Sequence, residues 1–347
     1  MSARPKIDEI DVQILRNLLK NVHTNFSEIA KGCGMTSNSI RARFNRLKRI
    51  GVVKGSTIQI NPKKLGYDCI SLLQIKTKLN AEKDVYEYLQ KIPSIILSSR
   101  RLGTHNIHGF AALKNNDELS FTIDQIKSHP SVLEVQHSIW VDVVNMDHPD
   151  NLIVEPSESY PTGLLSENVS SKSTITPSHG GEVVEENNVK ESYELDKNDW
   201  LLISMLVENC RLSSRQIGKK LGVSTQTVGR RLERLRKDVI SSWSLRLDLE
   251  KIGYIGTAIF SILISSPHEK SKVFEEILRV PNVIIAFKCL GVIDIHFVLP
   301  FSSLEQLFEV KERLSTIPGI QELELFLSPP YTNWPLSVFA KLIPNQS

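Results

Sequence analysis

The sequence predicts an α+β protein in which one two-domain unit is used twice. Three observations carry that expectation. Residues 27–49, two helical patterns around a glycine turn, recur at 215–237 with a constant offset of 188 and no gap. After each copy the pattern runs strand, helix, strand, strand, helix, strand. Between the copies, residues 150–194 are rich in Ser, Glu, Asn, Pro and Gly and show no apolar period. Such a composition buries too little surface to offset its ordering entropy, so it predicts a disordered linker.

In chain order, Ile10, Ile14, Leu15 and Leu18 mark an amphipathic first helix, with Asp8, Glu9 and Asp11 where the helix dipole favours anions. A short helix over 27–32 follows, broken by Gly32 and Gly34. Thr36 or Ser37 caps a third helix, whose Ile40, Phe44 and Leu47 form one buried stripe. Its other face carries Asn38, Arg41, Arg43, Asn45, Arg46, Lys48 and Arg49, and no acid lies between Met35 and Gly51. A helix built only for solvation would mix signs through i, i+4 pairs. The pattern therefore predicts a helix-turn-helix, and VVKGSTIQINPKKLGY with its Lys54-Gly55 turn predicts a two-stranded wing.

Residues 70–144 predict a ferredoxin-like βαββαβ sandwich. The resulting division is a winged helix-turn-helix at 5–66, a ferredoxin-like domain at 67–148, a linker at 149–193, a second winged helix-turn-helix at 194–254, a second ferredoxin-like domain at 255–328, and a tail at 329–347 with no counterpart elsewhere.

The net charge is +3, but ten acids and three lysines in 151–199 leave roughly +10 on the rest, a bias toward a polyanion. Cys33, Cys69, Cys210 and Cys289 are widely spaced, which indicates neither zinc nor a disulfide framework. His105, His108 and His137 lack ligand spacing, so no metal is predicted, and no phosphate-loop, hydrolase or dinucleotide motif predicts a cofactor. With no apolar signal core or membrane-length run, the chain reads as cytoplasmic and nucleoid-associated, without a membrane partner.

The candidate DNA-contacting residues are Thr36, Ser37, Asn38, Arg41, Arg43, Asn45 and Arg46, and in the second copy Ser224, Thr225, Gln226, Arg230, Arg231, Glu233 and Arg234. Arg43, Arg46, Arg231 and Arg234 flank the buried stripes and are expected on phosphates. Arg41 is answered by Gly229 and Asn45 by Glu233, so the two readers predict different base contacts.

Each half, through IDEIDVQILRNLLKN, the segment 26–55, the INPKKLGY hinge and their second copies, resembles an Lrp/AsnC-family transcription regulator. The resemblance implies ferredoxin-like domains that dimerise by their sheets, here as an intramolecular pseudo-dimer built into larger homo-oligomers. It also implies an amino-acid effector near a G-x-x-D turn, at Gly103, Thr104 and Asn106 and at Gly291 and Asp294. The first copy has Asn106 where the family has Asp. Asp294 reads either as the partner of a ligand ammonium or as a residue that closes its own turn. An enzymatic alternative is the similar sirohaem decarboxylases, whose HNYxR-type segment is matched at 104–110 by His-Asn but by neither Tyr nor Arg.

Overall fold

The computed structural model describes residues 6–145, 152–153 and 194–344. Most of the predicted linker lies outside the described residues. Leu152 and Ile153 are the exception, and both are buried: Tyr254 donates its hydroxyl to the Leu152 carbonyl at 3.0 Å, and Arg16 Nη2 donates to that of Ile153 at 2.9 Å. Two adjacent apolar residues set no period, so the segment's composition concealed them.

The first module comprises α1 (Glu9–Lys20), α2 (Phe26–Gly32) and α3 (Ser37–Arg49). Its twin comprises α6 (Lys197–Glu208), α7 (Ser214–Leu221) and α8 (Thr225–Asp238). Asp8 and Asp196 cap α1 and α6 through reciprocal capping boxes. Both modules share one continuous core that runs from Ile14, Leu18, Ile40 and Leu47 to Leu202, Leu206, Val228 and Leu235.

The predicted hairpin wing is not formed. Residues 53–60 make one strand, β1 (Val53–Ile60), which pairs antiparallel with β6 (Ile240–Leu247) of the other half. Gly55 sits at a register shift instead of a turn, with φ +149°. The β-branched run that suggested two short strands satisfies its backbone on its own duplicate, and Lys54 pairs with Asp248 across the ladder at 3.2 Å.

The two ferredoxin-like domains supply β2 (Cys69–Thr77), α4 (Glu82–Leu89), β3 (Ile95–Arg100), β4 (Ile107–Leu113), α5 (Asn116–Lys127) and β5 (Val132–Asn145), then β7 (Gly256–Ile264), α9 (Lys270–Leu278), β8 (Ile285–Gly291), β9 (Ile295–Phe301), α10 (Leu304–Ser315) and β10 (Ile320–Ser328). Their strands form one eight-stranded sheet, β3-β4-β2-β5-β8-β9-β7-β10, joined between halves where β5 pairs with β8. The far ends nearly close the ring: Leu102 and Leu327 exchange backbone hydrogen bonds of 3.1 and 3.3 Å. Helices cover the outside of each half over separate apolar cores. The interior holds residues of both halves, among them Leu72, Phe110, Trp140 and Phe287.

The tail, which has no counterpart, fastens the β1–β6 ribbon to the sheet. Trp334 and Leu247 exchange two backbone bonds of 2.7 and 2.8 Å, and Val338, Phe339 and Leu342 pack on Ile70 and Ile96.

Candidate nucleic-acid interface and effector turns

Thr36 caps α3 by accepting from Ser39 N, and Ser224 caps α8 by accepting from Thr227 N. Ile40, Phe44 and Leu47 are buried as predicted. In α8, Val228 and Leu235 are buried, with Leu232 packed at the margin. The outward faces present Asn38, Arg41, Asn45, Lys48 and Arg49 on one helix, and Thr225, Gln226, Arg230 and Glu233 on the other. Ser37 is half-buried. Arg41 lies 5.4 Å over the Phe26 ring, and Arg211 of the second module lies 5.3 Å from the same ring, tying the two modules together.

Each of the four arginines expected on phosphates bonds an acid of its own module. Arg43 bonds Asp8 at 2.7 Å and Asp11 at 3.2 Å, and Arg46 bonds Asp11 at 2.9 Å. In the twin, Arg231 bonds Asp196 and Asp199 at 2.7 and 2.6 Å, and Arg234 bonds Asp199 at 3.2 Å. Asp11 and Asp199 are fully buried carboxylates, and a buried charge needs a partner more than a surface arginine needs a phosphate. These guanidiniums therefore lock α3 onto α1 and α8 onto α6. The signal in the sequence is the pair Asp11 and Asp199 at equivalent positions, of which Asp11 reads there as a helix-dipole residue.

The two turns expected to hold an effector are equivalent in the sequence repeat, and their partners Glu82 and Lys270 are opposite in charge. Asn106 accepts from Thr77 N at 3.0 Å, and its amide donates to Thr77 Oγ1 at 2.8 Å and to Glu82 at 3.3 Å. Asp294 accepts from Ile264 N at 2.9 Å and pairs with Lys270 at 2.6 Å. The offset of 188 aligns Glu82 with Lys270, so the Asn-for-Asp departure is matched by an acid-for-base change in the partner. Both oxygens of Asp294 are thus engaged within the chain, and Lys270 holds the position expected for a ligand ammonium. Thr104 is exposed. Gly103 and Gly291 are contact points between halves: a Cβ on Gly103 would lie 2.3 Å from the Phe326 ring, and one on Gly291 2.5 Å from the His137 carbonyl oxygen.

Sequence reading also missed the sheet interior. Gln74, Ser99 and His108 lie in one cross-strand row, with Arg101 and His105 nearby, and several of their polar atoms are buried without a hydrogen-bond partner. Burial drives His108 well below the ordinary imidazole range, with His296, Arg101 and His105 adding to the effect, and burial drives His296 to about 3. Burial raises the Cys289 thiol to about 12, which leaves it protonated and unreactive. Among the described residues, no cluster of His, Cys, Asp or Glu could hold a metal, and no helix is long and apolar enough to cross a membrane.

Comparison with known proteins agrees with this architecture. Residues 195–236 match an AsnC-type helix-turn-helix domain and 7–54 match a winged helix-turn-helix DNA-binding domain. The HTH-type transcriptional regulator FL11 of Pyrococcus horikoshii is 31% identical over 138 residues, which is 40% of this chain and 91% of that protein. LrpA of the same organism is 35% identical over 117 residues, 33% of this chain and 81% of that protein. Each relative thus spans about one half of the tandem. A crystal structure of the sirohaem decarboxylase NirDL in complex with an iron-uroporphyrin III analogue covers 92% of this chain and 91% of its own, with a TM-score of 0.59 at 13% identity, a likeness of fold. The chain belongs to the Lrp/AsnC family of helix-turn-helix transcription regulators.

Proposed function

We propose that this DNA-binding transcription regulator reads double-stranded DNA with two unlike helices, α3 and α8, on a site whose half-sites differ. The observation that supports this most is the exposed face of α3. Arg41, Lys48 and Arg49 pair with no acid among the described residues, while the neighbouring Arg43 and Arg46 are consumed internally. Arg41 suits guanine and Asn38 or Asn45 adenine, whereas α8 offers Gln226 for adenine and Glu233 for cytosine. Selection from random oligonucleotides should return a non-palindromic site. A perfect palindrome would sink the asymmetric reading and favour two chains placing identical helices on one operator.

An effector at the 291–294 turn would have to displace Lys270 from Asp294, so the engaged carboxylate supports the turn-closing role over the ligand role. If Lys270→Met gives the chain amino-acid binding in calorimetry, the ligand role regains support. The fold shared with the sirohaem decarboxylase supplies the enzymatic alternative. Against it stands the 104–110 segment, where Asn106 is spent on Thr77 and Glu82 and the Tyr and Arg of that motif are missing. A Soret shift on adding sirohaem would reverse this preference.

A further inference from the structure

The interior of the sheet opens, at the end facing β1 and β6, into a cavity of about 610 Å³. Its walls come from β1, the hinge after it, both ferredoxin-like domains and the tail, and they include Gln59, Phe110, Trp140, Phe287, Trp334 and Phe339. It is separate from the two effector turns, none of whose residues line it. The size falls within the range of small-molecule sites, and the lining is mainly apolar with a few polar groups, the usual composition of such a site.

Two features of the lining specify a ligand. Trp140 stacks on the buried Phe287 with centroids 4.2 Å apart, and Phe110 meets Trp140 edge-on at 5.3 Å, so one wall is the Trp140 indole backed by Phe287. Flat rings pack on such a wall by offset stacking. Gln59 is 7% exposed, and its amide nitrogen has no hydrogen-bond partner; the indole nitrogen of Trp140 is likewise buried and unpartnered. An indole N–H is a donor only, and a buried donor left unmade costs free energy that a ligand acceptor recovers. Both orphan groups on the lining are donors. An ionised carboxylate is acceptor-only and offers two oxygens. Lys63 reaches the rim with no acid paired to it among the described residues; of the two acids on the lining, Asp142 is held by Lys288 at 3.4 Å and Asp68 is exposed to solvent.

We infer that this cavity is a binding site for a flat aromatic carboxylic acid, its ring against the Trp140 indole and its carboxylate on Gln59 and Trp140. Because β1 and the hinge form part of the wall, occupancy would bear on how the helix-turn-helix modules are held. That consequence rests on the DNA-binding reading above, whereas binding itself is measured without DNA, so the two fail separately.

The test is calorimetric titration of the full chain with 2-naphthoate, with 2-naphthylmethylammonium as the donor-only control of similar shape. Saturable binding at one site per chain is expected, with the amine at least about tenfold weaker. Trp140→Phe and Gln59→Leu should each weaken 2-naphthoate about fivefold, the worth of one hydrogen bond. Val338→Trp, on the half-buried tail wall, should fill the space and abolish binding; Leu336→Trp serves if that variant melts early. The inference is overturned if 2-naphthoate fails to saturate at millimolar concentration, if the amine binds as well, if Trp140→Phe changes nothing, or if binding survives a folded filling variant.

Discussion

The two halves repeat the same helices and strands in the same order, yet their sheet interiors differ in kind. Gln74, Ser99, Arg101, His105 and His108 of the first correspond to Ser261, Phe287, Cys289, Ile293 and His296 of the second, by strand register on β2 and β7 and by the 188-residue offset elsewhere. In the second half, His296 shares a hydrogen bond of 3.1 Å with Ser261 and stacks on Phe287 at 4.8 Å. In the first, His108 Nε2 has no partner, and the Phe326 ring meets its edge at 4.4 Å. Duplication preserved what the backbone needs, the capping boxes of α1 and α6 and the strand pairings within each half, and freed the side chains that no ladder constrains. The seams differ as well. β5 and β8 run together from Ser138 to Asn145, while the equivalent meeting of β3 and β10 is the single Leu102–Leu327 bridge.

The largest test of that comparison is at the paired glycines. Both have positive φ, at +154° for Gly103 and +139° for Gly291. A Cβ on Gly291 meets backbone of His137 and Ser138, which cannot yield without breaking the β5–β8 ladder. A Cβ on Gly103 meets the Phe326 ring, a side chain, although a fully buried one. Gly291→Ala should cost roughly 4 kcal/mol, combining left-handed strain with overpacking. Gly103→Ala should cost less, and Phe326→Leu should partly rescue it. Equal losses in urea unfolding would show that the two seams are equivalent after all.

Next in size is a place where the halves ought to agree. Asp11→Ala and Asp199→Ala each remove a buried carboxylate that holds two guanidiniums, of which Arg43 and Arg231 keep Asp8 and Asp196. Each should cost on the order of 3 kcal/mol, part of it from the lost capping box. A loss confined to one module would mean that the networks are not equivalent. This pair also shows what was legible in the sequence. The fold followed from periodicity, because apolar stripes and strand order are local. The arginines' destination was not local: Arg43 finds its acid 32 residues away, and only the packing of α3 on α1 brings them together. For the same reason β1 was read as a hairpin, since its partner β6 lies in the other copy. The tail carried no pattern, so its role appeared only where Trp334 closed on Leu247.

The buried histidines give a smaller effect with a defined sign. His296 titrates at about 3 in the folded chain and near 6.5 when unfolded. Above pH 6.5 both states are neutral and nothing is lost. As the pH falls, the unfolded chain takes up the proton first, so stability drops until about pH 3. By pH 5 the loss from His296 is about 2 kcal/mol, and His108 adds in the same direction. His296→Gln should flatten the slope of unfolding free energy between pH 7 and 5. An unchanged slope would place the linkage elsewhere.

The smallest effect concerns the readers themselves. Gly229 stands in α8 where α3 has Arg41, and nothing lies within 4 Å of where its Cβ would be. A glycine inside a helix costs about 1 kcal/mol relative to alanine, so Gly229→Ala should stabilise the second module by about that amount. Packing gives no reason for a glycine there, which makes the position a clean probe of how α8 meets DNA. If α8 approaches base edges as closely as α3, Gly229→Arg should add a guanine contact and shift the preferred half-site toward that of α3. If α8 only rests on the backbone, the same substitution should tighten binding to every sequence alike and steepen the salt dependence by about one unit. Selected-site profiles of Gly229→Ala and Gly229→Arg, compared at two salt concentrations, separate these outcomes. Identical profiles with a steeper salt slope would mean that the chain has one reader and one clamp.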